Sequence, residues 1–499
     1  MAWPANYVME FQRDDGLTFK TGPIAVDPLR VLATGETITT PAVHLGYVRR
    51  DFDAAVQAMH THIRRSVSPQ RDPDHAYRIQ YIIPEDQGPS LYHGSDFNEE
   101  NLKKCIDVAA AVGIETFILD FGWAESAGKW FPSGLDPLRN YAHKKGLLFG
   151  LYSEIEGGRG EWNKTEAFIK NPKWFAGYIL NIAIPEAAAW MESEWIGIAE
   201  RLKVDLFRHD QNAVMRHEGT VSMQHGFPEN DYWRHYEAFY AMTDRIRATY
   251  PNMVLQQAAS GGCRLDLATI GHWDEHFASD RTFNPWIYQM ASGMSVFLPP
   301  EILVSPHGMM GDQTGKYIEH PDLVTMLRGA YAMGNTPMIF NAMLPKSLEE
   351  LKPEVQETFL HYANLYKTFI RPMLATCEVW HIAPVNAIGG VETGDWFAME
   401  FTSPDKKQAW ATVIRLSQTR GKSMNLSWHL PLQLRRPAAP DAYLLKPKGL
   451  NAEMNYHVTF DNTGKVETHS GAKLMAEGLL IRTPANPCSE LLLFEEAKE

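Results

Sequence analysis

Cysteine is scarce: Cys105, Cys263, Cys377 and Cys488 are scattered over 499 residues and form neither a CxxC pair nor a disulfide ladder. A reducing cytoplasm is the compartment that fits this usage. No run of about 18 apolar residues occurs, which argues against a membrane-spanning helix. The opening Met1-Ala2-Trp3-Pro4-Ala5-Asn6 lacks the basic start and apolar stretch of a secretory leader. Basic residues are also short, 47 against 60 acidic, and the resulting net charge of −13 repels phosphate backbones. Neither nucleic acid nor membrane is expected as a partner. The histidines, His209 and His276 among them, show no metal-ligand spacing. Gly261-Gly262 lacks the spacing of a phosphate-binding loop.

What is present is the balance of a globular protein, 44% hydrophobic and 21% charged, in a chain long enough for roughly two to four domains. The 14 Trp, 19 Tyr and 23 Phe suit the apolar face of a sugar ring, although most aromatics in a large protein are core.

Three regions separate by pattern. In residues 1–72, Thr37-Ile38-Thr39-Thr40-Pro41 and Val43 to Val48 look β-like, with turn signals at Asp14-Asp15-Gly16 and Thr34-Gly35-Glu36, and Asp53 to Ile63 is helical. This region reads as the remnant of an N-terminal β-domain with a linker helix. Over 73–375 apolar strands alternate with amphipathic helices. Strands are expected at 78–84, 116–120, 147–152, 204–208, 253–257, near Ala278, at Val296-Phe297-Leu298 and at 337–340, with a helix over Asn98 to Val112. About eight such units imply an α/β fold, a closed (β/α)8 TIM barrel. Over 376–499, Trp396 to Met399, Ala409 to Ile414 and Leu491 to Phe494 predict a C-terminal antiparallel β-sandwich.

A barrel of this kind carries its chemistry at the carboxyl ends of its strands. Four expected strands end in acids: Asp120; Glu154 with Glu156; Asp210, flanked by Arg208 and His209; and Asp280. Each alone fits a helix N-cap. Together they cost repulsion and desolvation, and glycosidic cleavage supplies a use for them. A retaining glycosidase needs a nucleophile and an acid/base about 5–5.5 Å apart. Arg208 would keep Asp210 ionised, and Asp280, behind Phe277 and Ala278, would sit in a drier place suited to acid work. Glu154 and Glu156 form a rival pair, but their spacing puts both on one side of a strand, too close to straddle a glycosidic oxygen.

At these residues the chain resembles glycoside hydrolase family 36 of clan D, the bacterial α-galactosidases. The match is ordered over most of the chain: Leu119-Asp120-Phe121-Gly122-Trp123; Phe131-Pro132-Ser133-Gly134-Leu135-Asp136-Pro137-Leu138; Gly146 to Leu151 and Glu154-Ile155-Glu156; Arg208-His209-Asp210-Gln211-Asn212; Ala258-Ala259-Ser260-Gly261-Gly262-Cys263-Arg264-Leu265-Asp266; Phe277-Ala278-Ser279-Asp280. Gly449-Leu450-Asn451, Ser470-Gly471 and Leu474-Met475 resemble the family's C-terminal β-domain.

The resemblance implies double displacement through a covalent glycosyl-enzyme. Asp210 would be the nucleophile and Asp280 the acid/base. Asp120, Trp123, Tyr152, Arg208, Asn212, Ser260, Gly261 and Arg264 would line the substrate site. The implied substrate is an oligosaccharide or glycoside with a terminal α-linked galactose or a related sugar. No metal or organic cofactor is implied, and a homo-oligomer is allowed.

Four departures fall in the implied pocket. Phe121 replaces the second Asp of the family's Asp-Asp pair, Arg208 replaces Lys, Ala258 replaces Cys, and Tyr152 stands where Trp is usual. Losing a carboxylate that holds two hydroxyls weakens galactose recognition. An α-N-acetylgalactosaminidase, another α-glycosidase of the clan, a transglycosidase and a catalytically silent carbohydrate-binding relative remain as alternatives. Trp123 and Trp130 fit either substrate contact or barrel packing, and Arg264 with Asp266 reads as a pair that positions its loop.

Overall fold

Eight short, buried strands alternate with helices and close into a parallel barrel. They are β1 (Gln80–Ile83), β2 (Thr116–Leu119), β3 (Leu148–Ser153), β4 (Leu206–His209), β5 (Val254–Gln257), β6 (Glu275–Phe277), β7 (Leu303–His307) and β8 (Thr336–Phe340), hydrogen-bonded in chain order around the ring. The computed structural model describes residues 7–13, 17–23, 28–69, 71, 75–84, 96–123, 134–156, 169–177, 179–211, 220–280, 286–307, 322–383, 396–416, 440–484 and 486–498.

The chain divides into two compact units. One comprises Met1–Leu45, Arg65–Ala76 and Gly150–Phe277; the other comprises Gly46–Arg64, Tyr77–Phe149 and Ala278–Glu499.

The described helices of the barrel region are α1 (Phe52–Ser66), α2 (Glu99–Ala111), α3 (Asp136–Lys144), α4 (Pro185–Leu202), α5 (Tyr232–Thr249), α6 (Leu267–His272), α7 (Trp286–Met294), α8 (Leu323–Tyr331) and α9 (Pro353–Leu365), with short helical turns besides. Local chemistry sets their starts. Asn98 Oδ1 accepts the Asn101 amide at 3.0 Å at the head of α2. Pro185 opens α4 where its missing N–H costs nothing. Asp266 Oδ1 accepts the amides of Ala268 and Thr269, at 2.9 and 3.1 Å, to cap α6.

The strands of the first unit carry a polar row in register: Tyr152 beside Arg208, Arg208 beside Gln256, Gln256 beside Glu275. The next row is Ser153, His209, Gln257 and His276. His209 touches His235 and Phe239 of α5 through Glu156 and ring packing, so that row faces the helix layer. Alternation then turns Arg208, and Asp210 after it, to the barrel interior. The strands of the second unit are apolar at corresponding places, with Ile339, Tyr81 and Phe117 side by side and Phe340, Ile82 and Ile118 in the next row.

Three expectations need correction. Residues 37–41 and 43–48 are not strands but irregular chain, much of it exposed: no described strand pairs with them. The antiparallel pair of that region is instead Tyr7–Arg13 with Leu17–Pro23, and the Asp14-Asp15-Gly16 turn signal lies outside the described residues. Val296-Phe297-Leu298 is the turn that follows α7, not a strand, and the seventh strand is Leu303–His307, which Pro306 disguises.

In the second unit the chain continues as an antiparallel β-domain. Strands β9 (Glu378–Ala383), β10 (Trp396–Thr402), β11 (Gln408–Arg415), β13 (Asn455–Phe460), β14 (Lys465–Ser470) and β16 (Ser489–Glu496) form a sheet in the order β9-β10-β11-β16-β13-β14. A second sheet pairs β12 (Ala442–Leu445) with β15 (Leu479–Arg482). Trp396, Ala398, Leu445, Ile481 and Phe494 share one core, so residues of both sheets pack together as the expected sandwich requires. Arg328 of α8 joins this domain to the barrel helix, donating to Asp461 Oδ2 at 2.6 Å and to the Ser489 carbonyl at 2.7 Å.

Candidate active site

Asp210 lies one residue beyond β4, partly exposed. Its amide donates to the Ser153 carbonyl at 3.0 Å, continuing the ladder past the strand end. Its Oδ1 accepts two backbone N–H groups, from Gln211 and from Ser260, each at 2.7 Å. Among the described residues no hydrogen bond reaches Oδ2.

The loop that supplies Ser260 has four successive residues in the left-handed region: Ala259, Ser260, Gly261 and Gly262, with φ of 46°, 54°, 77° and 90°. Two of them are not glycine and pay a conformational cost for it. Of the amides in this run, Ser260 N–H donates to Asp210, whereas Gly262 N–H turns back to the Ala258 carbonyl at 2.8 Å. Cys263 closes the loop with its side chain exposed, whereas the other three cysteines are buried.

Arg208 is 3% exposed. It donates from Nη1 to Gln256 Oε1 at 2.6 Å, and its guanidinium lies 4.3 Å from the Phe277 ring centroid. Gln256 passes the contact on, donating from Nε2 to Glu275 Oε2 at 2.9 Å. The polar row is therefore a linked chain of side chains below Asp210. Gln256 and Glu275 escaped sequence reading; strand residues with long polar side chains in an otherwise apolar run were the clue.

Glu156 is also far from the role a shared strand face would give it. The chain leaves β3 at Ser153 and turns at 155–156, so alternation no longer applies to Glu154 and Glu156. Tyr152 donates its hydroxyl to Glu154. Glu156 is completely buried and accepts four hydrogen bonds. On Oε2 these come from His209 Nε2 at 2.8 Å and Arg264 Nη1 at 2.6 Å; on Oε1 they come from His235 Nε2 at 2.9 Å and Arg264 Nη2 at 3.0 Å. Burial alone would raise its pKa, but the Arg264 guanidinium and the two imidazoles overcome that and hold the carboxyl well below the usual range. Arg264 thus pairs with Glu156 and not with Asp266, which caps α6 instead. Its guanidinium is spent on that fork, 2% exposed.

On the second unit, Asp120 follows β2 directly and is 6% exposed, with Oδ1 accepting the Phe121 amide at 2.7 Å. Trp123 is 8% exposed and Phe121 is half-buried. Asp280 lies three residues beyond β6, partly exposed, after the buried Phe277 and Ala278. Asn212 and Trp130 lie outside the described residues. Among the described residues no group of three or more His, Cys, Asp and Glu could hold a metal ion. No described helix is long and apolar enough to cross a membrane.

A closed parallel barrel with carboxylates at the carboxyl ends of its strands, followed by an antiparallel β-domain, defines a (β/α)8-barrel protein with its polar site at the strand ends. The chain belongs to the melibiase family, which matches residues 37–333. Residues 396–494 match the glycosyl hydrolase family 36 C-terminal domain.

The chain is 23% identical over 512 residues to an alpha-galactosidase of Escherichia coli, covering 96% of this chain and 63% of that protein. It is 23% identical over 489 residues to alpha-galactosidase 1 of Pediococcus pentosaceus, covering 91% and 60%. The chain therefore spans about three fifths of the length of these relatives. The family 36 alpha-galactosidase AgaA of Geobacillus stearothermophilus superposes with a TM-score of 0.71 at 18% identity, over 89% of this chain and 59% of that one. A variant of AgaA in complex with stachyose gives 0.71 at 18%, over 90% and 60%. At such identity the likeness carries the fold.

Proposed function

We propose that the chain is a retaining glycoside hydrolase acting on terminal α-linked galactose or a closely related sugar. Asp210 attacks the anomeric carbon through Oδ2 while Asp280 protonates the leaving oxygen. Asp280 then takes a proton from water, which releases the sugar from the glycosyl-enzyme. The observation that carries this reading is the Asp210 cradle. Two backbone amides fix one carboxylate oxygen and leave the other to react, as a covalent nucleophile needs. The names of the relatives support an α-galactoside as substrate. Phe121, in place of the family's second Asp, favours a sugar that makes less use of a carboxylate at that position.

A panel of nitrophenyl α-glycosides tests this, comparing galactoside, N-acetylgalactosaminide and arabinopyranoside. Release of nitrophenol is expected from at least one of them. It should fall by about 10⁴-fold in Asp210→Asn, which leaves a poor nucleophile in place. A similar loss is expected in Asp280→Asn for substrates with poor leaving groups. No release from any of the panel by the native protein would favour a carbohydrate-binding relative.

A further inference from the structure

Asp210 is aimed by two pieces of chain far apart in sequence. One is the end of β4, where His209 precedes it; the other is the left-handed loop, where Ser260 donates to it. Neither piece is held at this place by an apolar core alone. Both are tied to one buried anion, because His209 and Arg264 bind the same Oε2 of Glu156.

The His209 ring has no freedom to turn. Nδ1 faces the Ser153 carbonyl at 3.1 Å, and Nε2 meets Glu156. The ring packs against Trp273 and Phe239, with centroids 5.6 and 5.7 Å away. The Ser153 carbonyl is also the acceptor for the Asp210 amide, so the same oxygen registers both residues. On the other side the Arg264 guanidinium lies 4.8 Å from the Phe239 ring centroid and 5.3 Å from that of Tyr236, with both Nη atoms forked onto Glu156. His235 of α5 binds the remaining face of the carboxylate.

We propose that Glu156 is a positioning residue for the nucleophile: its carboxylate locks the β4 end and the Ser260 loop to each other and so fixes the distance between Ser260 N–H and Asp210. The inference rests on the nucleophile reading above for its kinetic consequence, but its geometric content is independent of that reading. Loss of this lock moves the attacking oxygen without removing it, and misplacement by about 1 Å costs roughly 10²-fold in rate. Sugar binding is not made through Glu156, so the loss falls on kcat and leaves KM nearly unchanged.

The test compares the full chain carrying Glu156→Gln with Asp461→Asn, which removes a carboxylate of the second unit that accepts three side-chain hydrogen bonds. Two readouts are taken: kcat and KM on the best substrate of the panel, and amide hydrogen exchange of peptides covering 209–211 and 258–264. In folded Glu156→Gln, kcat is expected to fall about 10²-fold with KM within about threefold, and both peptides to exchange faster. Asp461→Asn should lower stability while leaving kcat and both peptides unchanged. If Glu156→Gln does not fold, His235→Phe takes its place, removing only one of the four bonds. It is expected to lower kcat about tenfold at constant KM and to speed exchange in 258–264. Unchanged kcat and unchanged exchange in a folded variant of either kind would overturn the proposal. Were the native protein inactive on every glycoside, the hydrolase reading would fall; faster exchange in Glu156→Gln would still uphold the lock, and unchanged exchange would sink it.

Discussion

Glu156 and Glu400 are both fully buried glutamates, one beside the barrel site and one in β10 of the C-terminal domain, yet they titrate in opposite directions. Among the described residues Glu400 accepts only backbone amides, from Lys448 at 2.7 Å and Gly449 at 3.1 Å. Burial outweighs these, and the Lys406 and Lys448 charges as well, and pushes its carboxyl up to about 7. Glu156 suffers the same burial but has a guanidinium and two imidazoles against it, and it stays ionised. Two backbone dipoles, with Lys406 and Lys448 bonded to other carboxylates, do not offset desolvation; a counter-charge in fork geometry does. One site is therefore built to keep a charge, and the other tolerates losing it.

The contrast breaks most severely if the counter-charge is removed. Arg264→Met leaves Glu156 buried with imidazoles alone, and a loss of about 3–5 kcal/mol in urea unfolding is expected at neutral pH. The loss should shrink in acid, where the stranded carboxyl protonates. Activity per folded molecule should drop as well, since the Ser260 loop is released.

Glu400→Gln sharpens the other side of the comparison. Because the folded pKa lies above the unfolded 4.5, the native protein is favoured by this group below pH 4.5 and loses that advantage as the pH rises through about 7. The native chain should lose roughly 3 kcal/mol over that window which Glu400→Gln does not lose. Chemical denaturation at pH 5 and pH 8 measures the difference. Equal losses in both proteins would mean that Glu400 is ionised throughout.

The smallest effect belongs to a third acid. Asp461, paired with Arg328 and with His361 Nε2 at 2.6 Å, is held below the usual range despite burial. His361 is raised in turn by that bond, but its side chain is 54% exposed. Its stabilisation is present below pH 6.5 and is lost as the pH rises through the raised folded value. Screening by solvent keeps it under about 1 kcal/mol. His361→Ala should accordingly lower the melting temperature slightly at pH 5.5 and not at pH 9.

Much of this architecture was legible in the sequence because it is local. Seven of the eight barrel strands fall at or next to the apolar runs that predict them, and the residues after β2 and β4 are the acids expected there. The seventh strand was hidden because Leu303–His307 contains a proline and a serine, while the more apolar Val296-Phe297-Leu298 only packs the end of α7. The Glu156 lock was illegible for another reason. Its members sit at 156, 209, 235 and 264, and the Arg264 bond spans 108 residues. No spacing rule reaches that far. What the sequence did offer was a histidine on the apolar face of α5, with Tyr232, Tyr236 and Phe239 as its neighbours.

The left-handed run at 259–262 also sets a limit on how this protein can be improved. Two of its four residues bear side chains where the backbone would rather have none, so the ground state holds conformational energy beside the Asp210 carboxylate. A stabilisation campaign would flag Ala259 and Ser260 as errors and replace them with glycine. The repair would gain fold stability and loosen the aim of the amide that holds Asp210, trading turnover for melting temperature.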